Sequence, residues 1–137
     1  DLQIKNGALS SSYTMLQASN FGVSDSNDHN FGSIVVNIRD RTNSLGNPIN
    51  DPPPVVIQYE VKVAGGVETN ADTNIRRNGA LLSTAQTRTG QGQRINKMFV
   101  DQNPLVGNVT YTFQVNTNSA SSYTISGGQA FIQQLMK

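Results

Sequence analysis

The sequence predicts an all-β fold, in which about ten short strands form two antiparallel sheets packed face to face. Three observations predict it. Apolar residues recur at every second position in several windows, turn dipeptides punctuate those windows, and no window of helical length shows apolar spacing at i, i+3, i+4 and i+7. The 137 residues suit a single domain, 1–137, large enough to bury a core without covalent staples. With no Cys, the chain has no disulfide framework, thiol nucleophile or cysteine metal site.

The elements follow in order. Asn6-Gly7 is placed to close a short hairpin, and a weaker strand is expected around 13–17. Ile34, Val36 and Ile38 alternate with Asn37 and Arg39. The segment 40–54 carries Leu45-Gly46-Asn47-Pro48 and then Pro52-Pro53-Pro54; a triple proline cannot donate to a central ladder, so an ordered exposed loop is expected there. Val55, Ile57, Tyr59, Val61 and Val63 against Gln58, Glu60 and Lys62 give the clearest period-2 strand in the chain. Asn78-Gly79 is a type I′ hairpin signal that sets Ile75 opposite Leu82. A strand at 94–100 precedes another in which Val109, Tyr111, Phe113 and Val115 face one way and Thr110, Thr112 and Gln114 the other. Gly127-Gly128 reads as a turn joining Tyr123-Thr124-Ile125 to Ala130-Phe131-Ile132.

Two of these strands are apolar on both faces. Phe131 and Leu135 oppose Ala130, Ile132 and Met136, while Ile95 and Phe99 oppose Met98 and Val100. A sheet with one wet face has no need of the second set. Such strands are either covered on both sides within one subunit, or fill the sandwich with one face and meet a symmetry mate with the other.

Polarity comes mostly from neutral groups. Asn (16), Gln (11), Ser (13) and Thr (11) supply 51 of 137 residues, whereas charged residues make up 14% and the formal net charge is +1. That balance disfavours a general polyanion binder such as a nucleic-acid protein and suits hydrogen bonding to sugars or peptides. No apolar run approaches the roughly 20 residues of a membrane-crossing helix, so no membrane insertion is expected. Asp1 opens the chain with neither Met nor a signal-like region, and the expectation is a piece of a longer protein.

The sequence offers little catalytic chemistry. His29 is the only histidine and no G-x-S-x-G elbow accompanies it, so no enzyme is expected. Asp25-Ser26-Asn27-Asp28-His29-Asn30 gathers oxygen ligands but has Asn30 and Val36 where an EF-hand needs Gly and Glu; it reads as an Asx-rich turn, with no metal or cofactor expected. Between Thr73 and Val100 stand Arg76, Arg77, Arg88, Arg94 and Lys97 with no acidic residue. These either meet phosphate or anionic sugar, or pair with Asp72 and Asp101 and keep strand edges soluble. Specific contact is expected on loops held by the scaffold, and the candidate receptor-binding residues are Arg41, Asn43, Asn47 and Asn50 of the proline loop together with Arg76, Arg77, Arg88 and Arg94.

The C-terminal third also resembles a known family. Gly107-Asn108-Val109-Thr110-Tyr111-Thr112-Phe113-Gln114-Val115, a polar loop, Tyr123-Thr124-Ile125-Ser126-Gly127-Gly128 and Ala130-Phe131-Ile132-Gln133-Gln134-Leu135 resemble the last strands of the tumour-necrosis-factor-like jelly roll. That superfamily includes the globular heads of complement and collagen-like proteins and trimeric viral spikes, among them the vertex spikes of tectivirus-like phages. The resemblance implies a jelly-roll sandwich and a homotrimer with the terminal strand near the threefold axis. Phe99, Phe131 and Leu135 are then the interface candidates. It implies a spike head at a virion surface or outside the cell, the C-terminal part of a longer spike or fibre chain joined through its N-terminal part to the rest of a spike or capsid, that binds a host receptor or glycan. The alternative is a structural trimerisation or capping domain of a fibre, phage or spore-surface protein with no specific ligand.

Overall fold

The computed structural model describes residues 9–17, 21–66, 69–90, 92–117 and 122–135. Nine strands follow in chain order: β1 (Leu9–Gln17), β2 (Phe21–Val23), β3 (His29–Ile38), β4 (Val55–Gly66), β5 (Thr69–Arg77), β6 (Ala80–Thr89), β7 (Arg94–Asp101), β8 (Gly107–Thr117) and β9 (Tyr123–Leu135). One sheet has the order β1-β9-β4-β7, with β2 also paired to β9, and the other has the order β3-β8-β5-β6. Since β1 pairs with residues 128–135 of β9 and β2 with residues 123–125, these two strands share one edge position. The described strands therefore number nine instead of about ten, arranged in the eight positions and two Greek keys of a jelly roll. The Asn6-Gly7 hairpin falls outside the described residues.

Alternation places the core as expected. Val55, Ile57, Tyr59, Val61 and Val63 of β4 are buried, as are Val109, Tyr111, Phe113 and Val115 of β8 and Ile34, Val36 and Ile38 of β3. Phe31 joins them because a register shift between Asn30 and Gly32 turns its side chain inward. At the centre the rings of Phe31, Tyr59 and Phe113 contact one another, with centroids 5.3 Å apart for Tyr59 and Phe113 and 6.1 Å for the other two pairs. The Tyr59 hydroxyl donates to Thr73 Oγ1 at 2.6 Å and so carries no orphan polar atom into the core.

Two glycine readings resolve differently. Asn78 and Gly79, with φ of 49° and 87°, form the expected two-residue turn between Arg77 and Ala80. A bulge next to it sets Ile75 opposite Ser83, not Leu82. Gly127-Gly128 makes no turn at all. Strand β9 runs through it for 13 residues, pairing along β4 with a register shift between Lys62 and Val63. A Cβ at Gly128 would lie 2.6 Å from the Glu60 carbonyl oxygen, so this glycine admits close backbone approach within a bulge.

Burial lifts the phenols of Tyr59, Tyr111 and Tyr123 above their ordinary value of 10.0, and in Tyr111 the Asp101 carboxylate adds to the effect. Above about pH 10 the unfolded chain sheds phenol protons that the folded chain keeps, so it binds fewer protons and stability falls as pH rises. The urea midpoint should therefore hold steady up to about pH 9.5 and drop by about pH 11. A midpoint that is level or rising across this window would contradict the burial of these hydroxyls.

Candidate functional site

The outward face of the β1-β9-β4-β7 sheet is built in rows, because register fixes which residues stand side by side. Val100, Val56 and Gln133 form one row; Met98, Gln58 and Phe131 the next; Asn96, Glu60 and Gln129 the third; Arg94, Lys62 and Gly127 the last. Backbone pairing extends the second row to Tyr13 of β1. Met98 is 64% exposed and Phe131 37%, and Gln58 Nε2 donates to Met98 Sδ at 3.6 Å between them. The face thus changes from apolar to polar along its strands. Towards the polar rows lies a groove of about 320 Å³ lined by Gln58, Tyr59, Glu60, Asn96, Gln129 and Phe131. A second hollow of about 280 Å³ shares Glu60 and Gln129 and adds Lys62, Arg94, Ser126, Gly127 and Gly128. Arg94 forms an ion pair with Glu60 across it.

The opposite outer face, on β3-β8-β5-β6, carries a network of amides and charges bonded to one another, with Val35 and Leu81 exposed singly on its two edge strands. Gln114 joins Asn30 at 2.7 Å, Asn37 joins Asn108 at 3.0 Å, and Gln86 joins Asp72 at 3.2 Å. Asp28 accepts from Asn74 and Asn116, each at 2.8 Å. These polar groups bond within the face itself.

The interface candidates separate in space. Phe131 points outward, whereas Phe99 stands opposite the buried Ile57 and packs against the core. The two aromatics therefore lie on opposite faces, and Met98 is the β7 residue that shares Phe131's face. Leu135 ends β9 in register with Leu9, and its side chain lies outside the described residues.

The arginines do not converge on one anion site. Arg77 turns inward to Asp101, with Nη1 2.8 Å from both carboxylate oxygens. Arg76 lies on the amide face between Gln114 Oε1, at 2.8 Å, and Asp28. Arg88 stands on β6 in register with Asn70, and Arg94 is on the other sheet. Of the two partners expected from sequence, Asp101 takes Arg77; Asp28 and Glu60, remote in sequence from the arginines they hold, carry no local signal of the pairing.

The proline loop is ordered, and much of its chemistry holds it so. Asp40 accepts the N–H groups of Asn50 at 2.6 Å and Asp51 at 2.7 Å, and Asn43 Oδ1 accepts those of Leu45 and Asn47. Arg41 pairs with Asp51 at 2.9 Å. Gln134, wholly buried on β9, fastens the loop's ends: its Nε2 donates to the carbonyls of Arg39 and Pro53, and its Oε1 accepts from Arg39 N–H. Hence Arg41 and Asn43 serve the loop's own shape, while Asn47 and Asn50 stay exposed at its surface.

His29 Nε2 lies 2.7 Å from Asp25 Oδ1, and the bond to His29 holds the Asp25 carboxyl below its ordinary range. Among the described residues no group of three or more His, Cys, Asp or Glu is arranged to hold a metal ion.

No family model matches the chain, and no curated protein matches its sequence. Solved structures do. The CBM36-1 domain of a multidomain xylanase from the hindgut metagenome of Trinervitermes trinervoides aligns over 87% of this chain and 96% of that domain, with a TM-score of 0.52 and 10% identity. VP2 of the infectious bursal disease virus subviral particle aligns over 93% of this chain and 33% of its own, at a TM-score of 0.55 and 9% identity. The insecticidal delta-endotoxin Cry8Ea1 of Bacillus thuringiensis aligns over 86% of this chain and 20% of its own, at a TM-score of 0.50 and 10% identity. At such identities the likeness shows the fold: a β-sandwich of jelly-roll type.

Proposed function

We propose that this chain is a non-enzymatic attachment head, held as a homotrimer on a virion or other extracellular surface, that binds a receptor or glycan on a host cell. The observation that carries this reading is the contrast between the two outer faces. One is a network of bonded amides and charges whose exposed apolar residues, Val35 and Leu81, stand apart on its two edge strands, whereas the other gathers Met98 and Phe131 in one row beside Val56 and Val100 on strands that need no second apolar face. Covering those rows with a second and third copy removes apolar surface from water and leaves the polar rows and the loops open. Three copies also multiply a weak single contact, which suits attachment through neutral hydrogen-bonding groups. The structural reading, a cap that trimerises and recognises nothing, draws support from the loop, where Arg41 and Asn43 are occupied in holding the backbone.

Light scattering should give a mass of three subunits for the wild type. Phe131→Asp would place an unpaired carboxylate in the subunit contact, so a folded monomer with unchanged sheet dichroism is expected. A wild-type mass of one subunit would sink the trimer. Soluble head should compete with its parent particle for cells; a trimer that does not compete favours the cap.

A further inference from the structure

We infer that the hollow over Gly127 and Gly128, between Lys62, Arg94 and Gln129, is a binding site for a sugar bearing a carboxylate. This names a ligand class for the attachment reading and rests on it. The hollow occupies the polar end of the face, away from the row that carries Met98 and Phe131. Its volume of about 280 Å³ falls just below the usual range for ligand clefts, room for a small ligand and too little for a long segment of polymer.

The floor is open because Gly127, in the outward row with Lys62, carries no side chain and Ser126 a short one, so a ring can settle close to the backbone of β9. The walls supply two cations, Lys62 and Arg94, against one carboxylate, Glu60, leaving one positive charge uncancelled. A ligand with a single carboxylate meets that excess. A nucleic acid or other polyanion would find little more than one cation to neutralise. The remaining lining consists of Ser126, whose hydroxyl donates to the Lys62 carbonyl at 3.4 Å and keeps acceptor capacity, and the amide of Gln129, with that of Asn96 in the adjoining groove, groups able to bond sugar hydroxyls. Glu60 fixes the guanidinium of Arg94 in place and keeps acceptor capacity for a hydroxyl.

The test uses the full chain and two probes, the methyl glycosides of glucuronic acid and N-acetylneuraminic acid, each against its own methyl ester, followed by amide chemical shifts. At least one acid should bind in the millimolar range, about tenfold more tightly than its ester at low salt, as one charge-assisted contact allows. Shifts should centre on residues 60–62, 94–96 and 126–129. Lys62→Gln, at an exposed position, should fold normally and erase the preference for acid over ester, as should about 0.5 M salt. Absence of binding by both acids, equal binding of acid and ester, or an unchanged preference in Lys62→Gln would each overturn the site. Head that competes for cells yet binds neither acid refutes this site and leaves attachment standing. Head that binds an acid but does not compete retains the site and removes attachment.

Discussion

Phe113→Ala is expected to cost about 3–5 kcal/mol per subunit, the range for deleting a fully buried aromatic ring. Phe113 sits on β8 in the middle of its sheet, opposite Gly32 on one side and Ile75 on the other, with no surface exposed. Its ring packs against both Phe31 and Tyr59, so the substitution removes two ring contacts and leaves a void between sheets whose backbones are held by ladders on either side. Such a site collapses poorly, which puts the cost at the upper end. Set against the roughly 5–15 kcal/mol of a typical domain, it removes a large share of the stability. Urea unfolding followed by far-ultraviolet dichroism measures it directly. A loss below about 1 kcal/mol would mean that the three rings do not form one packed unit.

Asp101→Asn should be comparably severe although it changes no volume. Asp101 is 2% exposed and accepts from Arg77 at 2.8 Å and from the Tyr111 hydroxyl at 2.9 Å. Neutralising it leaves the half-buried Arg77 guanidinium with no carboxylate beside it. Removing one partner of a buried pair typically costs about 3–5 kcal/mol, and at this chain length that lowers Tm by on the order of 10 °C. The Arg77→Met, Asp101→Leu double variant supplies the control: with both charges gone it should recover part of the loss. A single variant as stable as the wild type would show that the pair contributes nothing to the fold.

Strands with apolar alternation were legible from the sequence, since the positions that alternate in β3, β4 and β8 are the positions that are buried. The first half of β5 was not. Its inward residues Ala71 and Thr73 are small or polar, and its outward ones are Asn70, Asp72 and Asn74, so Thr69–Asn74 shows no contrast between faces. Thr73 is tolerated inside because Tyr59, from β4, meets it with a hydroxyl. Gly127-Gly128 has the same local chemistry in a bulge as in a hairpin, and only the long partner β4 decides between them. The doubled character of β7 and β9 was legible as well, but the parity of Phe99 and Phe131 was not. Each strand fits either way round until register with Ile57 and Gln58 fixes it. For the arginines, the excess of charge was visible locally, while Asp28 and Glu60, which engage two of them, lie more than thirty residues away.

The pairing of Leu9 with Leu135 brings the start of β1 and the end of β9 together at one pole, beside the Gln134 clamp on the proline loop. Tension applied between these two points acts across the β1–β9 ladder from its open end. The hydrogen bonds then break one rung after another, as a zipper opens, instead of sharing the load as they would if the strands were dragged past each other lengthwise. Pull through the end of β9 alone, by contrast, leaves that ladder slack. Held at the end of β9 and gripped on its polar rows, the chain passes force through β9 and β4, two neighbours joined over nearly their whole lengths, and the seam that opens most easily stays out of the line of strain.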